Sequence, residues 1–339
     1  MKKKTADNQD QETQACRRKT TIGGQALIEG LMMIGPEKKA MAVRRPDGTI
    51  ALEEMPMTRF TGAANWLFIR GSIRLFRQLV SGTKALLRSA ELAEEPAQPN
   101  DKTPVISANA GNQVQKASLK SRIGSAVDRF FSTHSELVLY GSATLGILFS
   151  VALFILLPNL LISFIRQWTG LGNITSNLAE GLIRITLFIS YLALANRLQE
   201  MRRVWMYHGA EHKTIACYEA QQPLTVENVR RYSRFHPRCG TAFLFLVILI
   251  SIIVFSLIGW WGRWINLLIR FALVPLVAGI AYEIIRLAGR YDNRITRAIS
   301  KPGIWMQRLT TAEPDDTMLE VAIAALEAVR PMRANSDRW

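Results

Sequence analysis

Cysteine and histidine are scarce in this chain, with three cysteines (Cys16, Cys217 and Cys239) and four histidines in 339 residues. An odd number of cysteines at unrelated spacings excludes a disulfide framework and suits a reducing compartment. Acidic side chains are also short, 27 against 42 basic ones, which leaves a formal net charge of +15. No recognised nucleic-acid motif accompanies that excess, so nucleic acid is not expected as a partner. Lys and Arg gathered on loops beside anionic lipid head groups account for the charge instead. The first twenty residues have no apolar core after their lysines, so neither a secretory signal nor a cleaved targeting peptide is expected there.

What the chain does have is apolar residues in blocks. Its mean hydropathy is +0.09 although 20% of its residues are charged. The two facts are compatible only if long apolar runs alternate with charged loops, the pattern of a membrane protein. Leu137 to Ile165, Leu178 to Leu198, Thr241 to Ile258 and Ile265 to Leu287 each reach the length needed for a hydrocarbon core of about 30 Å. Pro158 and Pro275 are expected to kink two of them. The loops inside the first and last pairs carry one basic residue each, Arg166 and Arg263. The middle loop carries seven, and the segment after the last span begins with Arg286, Arg290, Arg294, Arg297 and Lys301. The positive-inside rule then places both termini and the middle loop in the cytoplasm, with Trp260, Trp261 and Trp264 at the opposite interface.

The expected fold class is a mainly α membrane protein with about four transmembrane helices, an N-terminal small antiparallel β meander and amphipathic interfacial helices. Residues 1–20 read as a disordered basic tail. Within 21–58, runs at Gln25 to Ile34, Ala40 to Arg45 and Thr49 to Glu54 are divided by Gly35-Pro36 and Pro46-Asp47-Gly48, which favour turns. So few strands are marginal alone, and the meander is expected to dock on something else. Residues 59–92 form a helix with Arg70, Arg74, Arg77, Lys84 and Arg88 in one stripe beside an apolar flank, suited to the membrane interface or to packing on the protein itself. Residues 93–120 read as a linker. Spans one and two fill 121–198, a cytoplasmic His-rich loop 199–240, spans three and four 241–290, and a cytoplasmic segment 291–339. Within the last, Asp315 to Arg330 is a short amphipathic helix with an acidic start. Arg184 and Arg270 are expected to snorkel from the outer ends of their spans.

Three of the four histidines lie in the His-rich segment. In Tyr207-His208-Gly209-Ala210-Glu211-His212, helical spacing puts His208, Glu211 and His212 on one face. This is the H-x-x-E-H arrangement, in which two histidines hold a metal and the glutamate acts as base on water. A divalent ion, zinc by ligand type, is the expected cofactor, with Glu211 as catalytic residue. A third ligand is sought among His236, Cys239 and Glu283, with Asp292 also near. Glu283 reads equally as the partner of an arginine such as Arg286. Cys217 reads as packing.

Four blocks, Gly23 to Met33, Tyr207 to Thr214, His236 to Thr241 and Leu309 to Asp316, together resemble the YqhQ-like family of bacterial membrane proteins. The resemblance runs from about Thr21 to about Arg330. It implies a metal role for His208, Glu211, His212, His236 and Cys239 in what is described only as a predicted metal-dependent enzyme. It also draws notice to Glu29, Glu313 and the Asp315-Asp316 pair. Ile34 stands where a basic residue is expected. The reading is therefore an inner-membrane, metal-dependent enzyme, of hydrolase type, with its site at the cytoplasmic face and the meander with Glu29 over it. Membrane lipids are its expected partners, and an oligomer is compatible with the sequence. The alternative is a non-enzymatic scaffold or transporter with a structural metal site or none.

Overall fold

A computed structural model of the chain describes residues 19–57, 66, 69–95, 105–106, 135–258, 261–291, 293–332 and 336–337. Most of the expected basic tail, the start of the 59–92 helix and most of the 93–120 linker lie outside these, as do Cys16, Trp260 and Asp292. The chain is mainly helical with one small antiparallel sheet, and it divides into two units. The first takes Met1–Ala110, Leu192–Ile250 and Pro275–Trp339, the second Gly111–Tyr191 and Ser251–Val274.

In the first unit, β1 (Gly23–Leu27), β2 (Gly30–Ile34), β3 (Lys38–Arg44), β4 (Ile50–Pro56) and a short β5 (Val105–Ile106) pair in sequence order. The run expected as one strand from Gln25 to Ile34 is two, folded back at Ile28-Glu29 so that Leu27 opposes Gly30. Glu29 holds a left-handed φ of 49° there, without the Gly or Asn that normally marks such a turn. β5 lies within the expected linker and pairs Ile50 with Ile106 and Ala51 with Val105.

Both faces of the sheet's centre are covered, which is why β2 and the middle of β3 are apolar on both sides. Leu31, Met33, Ala40, Ala42 and Ile50 pack under α5 (Gln199–Glu219) and α10 (Asp316–Val329). Leu27, Met32, Met41, Val43 and Ala51 pack on the other side against Ala85 and Leu92 of α1 (Ile69–Glu94). Burying side chains of this size contributes about 1.5–3 kcal/mol each. Of the two readings offered for α1, packing on the protein therefore holds for one face. Its Leu75, Phe76, Leu79 and Val80 remain exposed on another. The expected His-rich loop is mostly the helix α5, whose residues from Tyr207 to Cys217 are all buried. The helix expected from Asp315 to Arg330 is present as α10, with Asp315 Oδ1 accepting the Met318 amide at 2.9 Å as its N-cap.

The second unit holds α2 (Ser135–Val151) and α3 (Leu157–Thr169), joined by a wide π-type turn at Ala152–Leu156, and most of α4 (Asn173–Ala195). Pro158 explains the turn: it has no N–H for the carbonyl of Phe154, four residues back. Arg184 Nε fills the vacancy at 3.0 Å. Arg184 and Arg270 thus do not snorkel. Glu180 Oε1 meets Arg184 Nη2 at 2.8 Å and Glu180 Oε2 meets Arg270 Nη2 at 2.5 Å, all three side chains being buried. The correction has a simple cause: Glu180 lies one helical turn from Arg184, on the same face, so the charge is neutralised where it stands.

Among the described residues, three helices are long and apolar enough to cross a membrane: Thr144–Thr169, Asn173–Ala195 and Trp264–Arg290. The last belongs to α8 (Arg263–Arg290). The remaining expected span is α7 (Gly240–Ser256), apolar but 17 residues long. At about 1.5 Å per residue it extends about 25 Å, short of a full hydrocarbon core. Two elements complete the chain, α6 (Val226–Arg230) and α9 (Arg294–Thr310).

Replacing Glu180 by Leu should leave two buried guanidinium groups without their shared carboxylate. We expect a loss of about 3–5 kcal/mol, read as an earlier thermal unfolding transition in detergent. An unchanged transition would show that the three charges do not depend on one another.

Candidate metal centre

The centre is built from α5 and the segment that leads into α7. His208 and His212 stand one turn apart on α5, with ring centroids 4.4 Å from each other. Each ring is fixed at its inner nitrogen by a backbone carbonyl: His208 Nδ1 lies 2.7 Å from Thr310 O, and His212 Nδ1 lies 2.6 Å from Arg234 O. A carbonyl can only accept, so both Nδ1 atoms carry a proton and Nε2 is the position each ring offers to an ion, His208 giving up its second proton on binding. This is how a metal-ligating histidine is ordinarily oriented. Cys239 Sγ lies 3.1 Å from His208 Nε2. His212 Nε2 is buried and has no hydrogen-bond partner.

His208, His212 and Cys239 each offer one ligand atom, and these atoms all lie within 4.8 Å of one another. A tetrahedral ion with bonds of about 2.0 Å to nitrogen and 2.3 Å to sulfur spaces its ligands about 3.3–3.8 Å apart. The donor set therefore fits a zinc-like cation.

The electrostatics agree. Burial pushes the Cys239 thiol up, but His212 and His208 overcome it and hold Cys239 well below the usual thiol range. Burial pulls His208 down, yet Cys239 and Glu211 outweigh it, so His208 is pushed up to about 9. The site thus already favours a thiolate, the form that binds metals. Burial raises the Glu211 carboxyl, against the pull of His208 and His212. The carboxyl group receives a hydrogen bond from the Gly24 amide, while its Oε2 is buried and unpartnered.

Of the expected ligand candidates, the structure groups His208, His212 and Cys239, sets the His236 ring 5.6 Å from that of His212 but facing another partner, and pairs Glu283 with an arginine. His236 points its Nε2 at Glu219 Oε2, 3.5 Å away. Its backbone is clamped at both ends by Gln307, which accepts from the His236 amide at 2.8 Å and donates to its carbonyl at 2.7 Å. Glu219 also takes the Thr20 amide at 2.8 Å and pairs with Arg238. Glu283 forms a two-pronged pair with Arg70 at 2.6 and 2.5 Å. It neutralises an arginine, as one reading held; the direct partner is Arg70, with Arg286 acting on it through its charge.

The other acidic residues frame the centre. Glu29 pairs with Arg203 at 2.5 Å. The part of the meander that meets the centre is Gly24: a Cβ there would come within 2.8 Å of Glu211 Cδ, so β1 closes on the carboxylate only because the residue is glycine. Glu313 meets Lys213 at 2.9 Å and Arg234 at 3.5 Å, and Asp316 meets Arg230 at 2.9 Å. They hold down the backbone whose carbonyls orient the histidines. Thr310 and Arg234 act through main-chain oxygens, which no side-chain motif could reveal.

The molecule is thus a mainly helical protein with apolar helices fit for a membrane and a buried His2Cys cluster. It matches the family of proteins of unknown function DUF1385 over residues 66–332, and it belongs to that family. It is 32% identical over 322 residues to the uncharacterized protein YqhQ of Bacillus subtilis (strain 168), an alignment covering 93% of this chain and 94% of that protein. No solved structure matches it.

Gly209 sits between the two ligand turns, and a Cβ on it would lie 2.2 Å from Ala312 O. Replacing Gly209 by Ala should push the Thr310 carbonyl off His208 and weaken metal binding by about 10–100-fold. A chelator competition on the purified variant measures this, and unchanged affinity would contradict the orienting role of Thr310.

Proposed function

We propose that this protein is a multi-pass inner-membrane, metal-dependent hydrolase whose centre lies at the cytoplasmic face. The observation that carries the reading is the buried convergence of His208, His212 and Cys239, with both imidazoles held at Nδ1 by backbone carbonyls. Three protein ligands with a fourth position open is the pattern of catalytic zinc sites, whereas structural sites are closed by four.

In this reading His208, His212 and Cys239 would hold the ion. When bound, a divalent cation supplies a Lewis acid that makes water a competent nucleophile near neutral pH. Glu211 takes the proton that the attacking water gives up, at its unpartnered Oε2. The bond to the leaving group breaks as the water oxygen bonds to the acyl or phosphoryl centre, and Glu211 returns the proton to the departing atom. Gly24 holds the carboxylate in place, and β1 over it excludes bulk water. The substrate class is a lipid, a lipid-linked molecule or a peptide close to the membrane.

The topology belongs to the same proposal. Four spans, with α7 the shortest, place the basic middle segment and both termini in the cytoplasm by the positive-inside rule.

One observation favours a second reading. Glu211 Oε2 is itself free and buried, and as a fourth ligand it would close the site, making the metal structural and the protein a scaffold. Replacing Glu211 by Gln separates the two. As a base, the residue is not needed for binding, so metal analysis of the detergent-purified variant should match wild type, while His212→Ala should lose the ion. Metal lost from the Gln variant as fully as from His212→Ala would overturn the hydrolase reading in favour of the closed site.

A further inference from the structure

We infer that α9 is a docking element for an anionic bilayer surface, and that it transmits docking to the metal centre through its C-terminal turn. The inference rests on the metal-centre reading above for its second half and stands apart from it in its first.

Around the helix an exposed apolar stripe lies between a basic sector and a buried one. Ile295, Ala298, Ile299, Pro302 and Trp305 fall on one side of a helical projection. Ile295 is 70% exposed, Ile299 40% and Trp305 51%. Beside this stripe lie Arg294, Arg297, Lys301 and Arg308, all exposed. The helix contains no acidic residue. The sector on the stripe's other side, with Gly303, Met306, Gln307 and Thr310, is buried, so the cations lie opposite the buried sector with the exposed stripe between them.

The buried face says where the exposed one must be. A Cβ at Gly303 would lie 2.4 Å from Ala242 Cβ, so α9 crosses the first turn of the apolar helix α7. Four residues before α9 begins, the apolar helix α8 ends at Arg290. Two apolar helices thus meet α9 at their ends, the level at which such helices leave a bilayer. An apolar stripe flanked by cations, carrying a tryptophan and no acid, matches the boundary of anionic head groups and acyl chains, into which such helices sink by about 5–10 Å. An acidic protein surface would complement the cations but not the adjoining stripe of Ile, Pro and Trp.

The same helix ends at the metal centre. Thr310, its last residue, orients His208 through its carbonyl, and Gln307 clamps the backbone of His236, three residues before Cys239. A helix settled on the bilayer therefore holds two anchors of the centre in position, and one that is lifted off releases them. The site would be tightest on an anionic membrane.

The test uses the full chain in nanodiscs of phosphatidylglycerol or phosphatidylcholine with brominated acyl chains, which quench nearby tryptophan. The contribution of Trp305 is the difference between wild type and Trp305→Phe. In phosphatidylglycerol that contribution should be quenched, and the exposed pair Lys301→Glu and Arg308→Glu should relieve it. Chelator competition should find the metal held about tenfold more tightly in phosphatidylglycerol than in phosphatidylcholine, with the difference abolished by Gln307→Ala. Absence of Trp305 quenching, as when a protein partner or second copy covers the stripe, overturns the docking whatever the metal content. Quenching with equal metal affinity in both lipids overturns the coupling. A protein that is quenched as expected but binds no metal likewise ends the coupling, and with it the proposed function, while the docking stands.

Discussion

The candidate centre depends on two backbone carbonyls. Thr310 O and Arg234 O each take the proton of one imidazole and so turn the other nitrogen of each ring inward, toward Cys239. Histidines one turn apart on a free helix would rotate independently, and the entropy of ordering them would oppose any ion. Here that ordering is completed by folding. The surrounding structure serves to keep the two carbonyls where they are: Glu313 on Lys213 and Arg234, Asp316 on Arg230, Gln307 on His236, and the glycine at 209 that lets the main chain at Ala312 approach α5.

The sheet and the helix α10 follow from the same need. α5 carries both histidines, and almost every residue of its second half is buried. A helix of that kind must be surrounded, and the strands supply one wall while α10 supplies another. The central strands are in turn apolar on both faces because α1 covers the side that α5 leaves open. In the second unit the same economy appears in polar form. Glu180 serves two arginines, and Arg184 takes the carbonyl that Pro158 leaves without a donor.

Much of this was legible in the residues. Apolar runs give the long helices, Asp315 announces α10, and the spacing of His208, Glu211 and His212 gives the heart of the site. What was not legible had physical causes. The reversal at Ile28-Glu29 lacks a glycine because Glu29 is held by Arg203, 174 positions away in the chain. His236 is as good a ligand as its neighbours by type, and only its distant partners Glu219 and Gln307 turn it aside. Glu283 lies at a depth where a carboxylate needs a partner, but nothing local says that the partner is Arg70. The Glu180–Arg184 pair could have been read, since opposite charges one turn apart within a span neutralise each other.

X-ray absorption at the metal edge of the intact, detergent-purified protein tests the account most directly. It predicts a first shell of two imidazole nitrogens at about 2.0 Å and one sulfur at about 2.3 Å, completed by a single light atom. A stoichiometric ion without sulfur in its shell, or no stoichiometric ion at all, would contradict it.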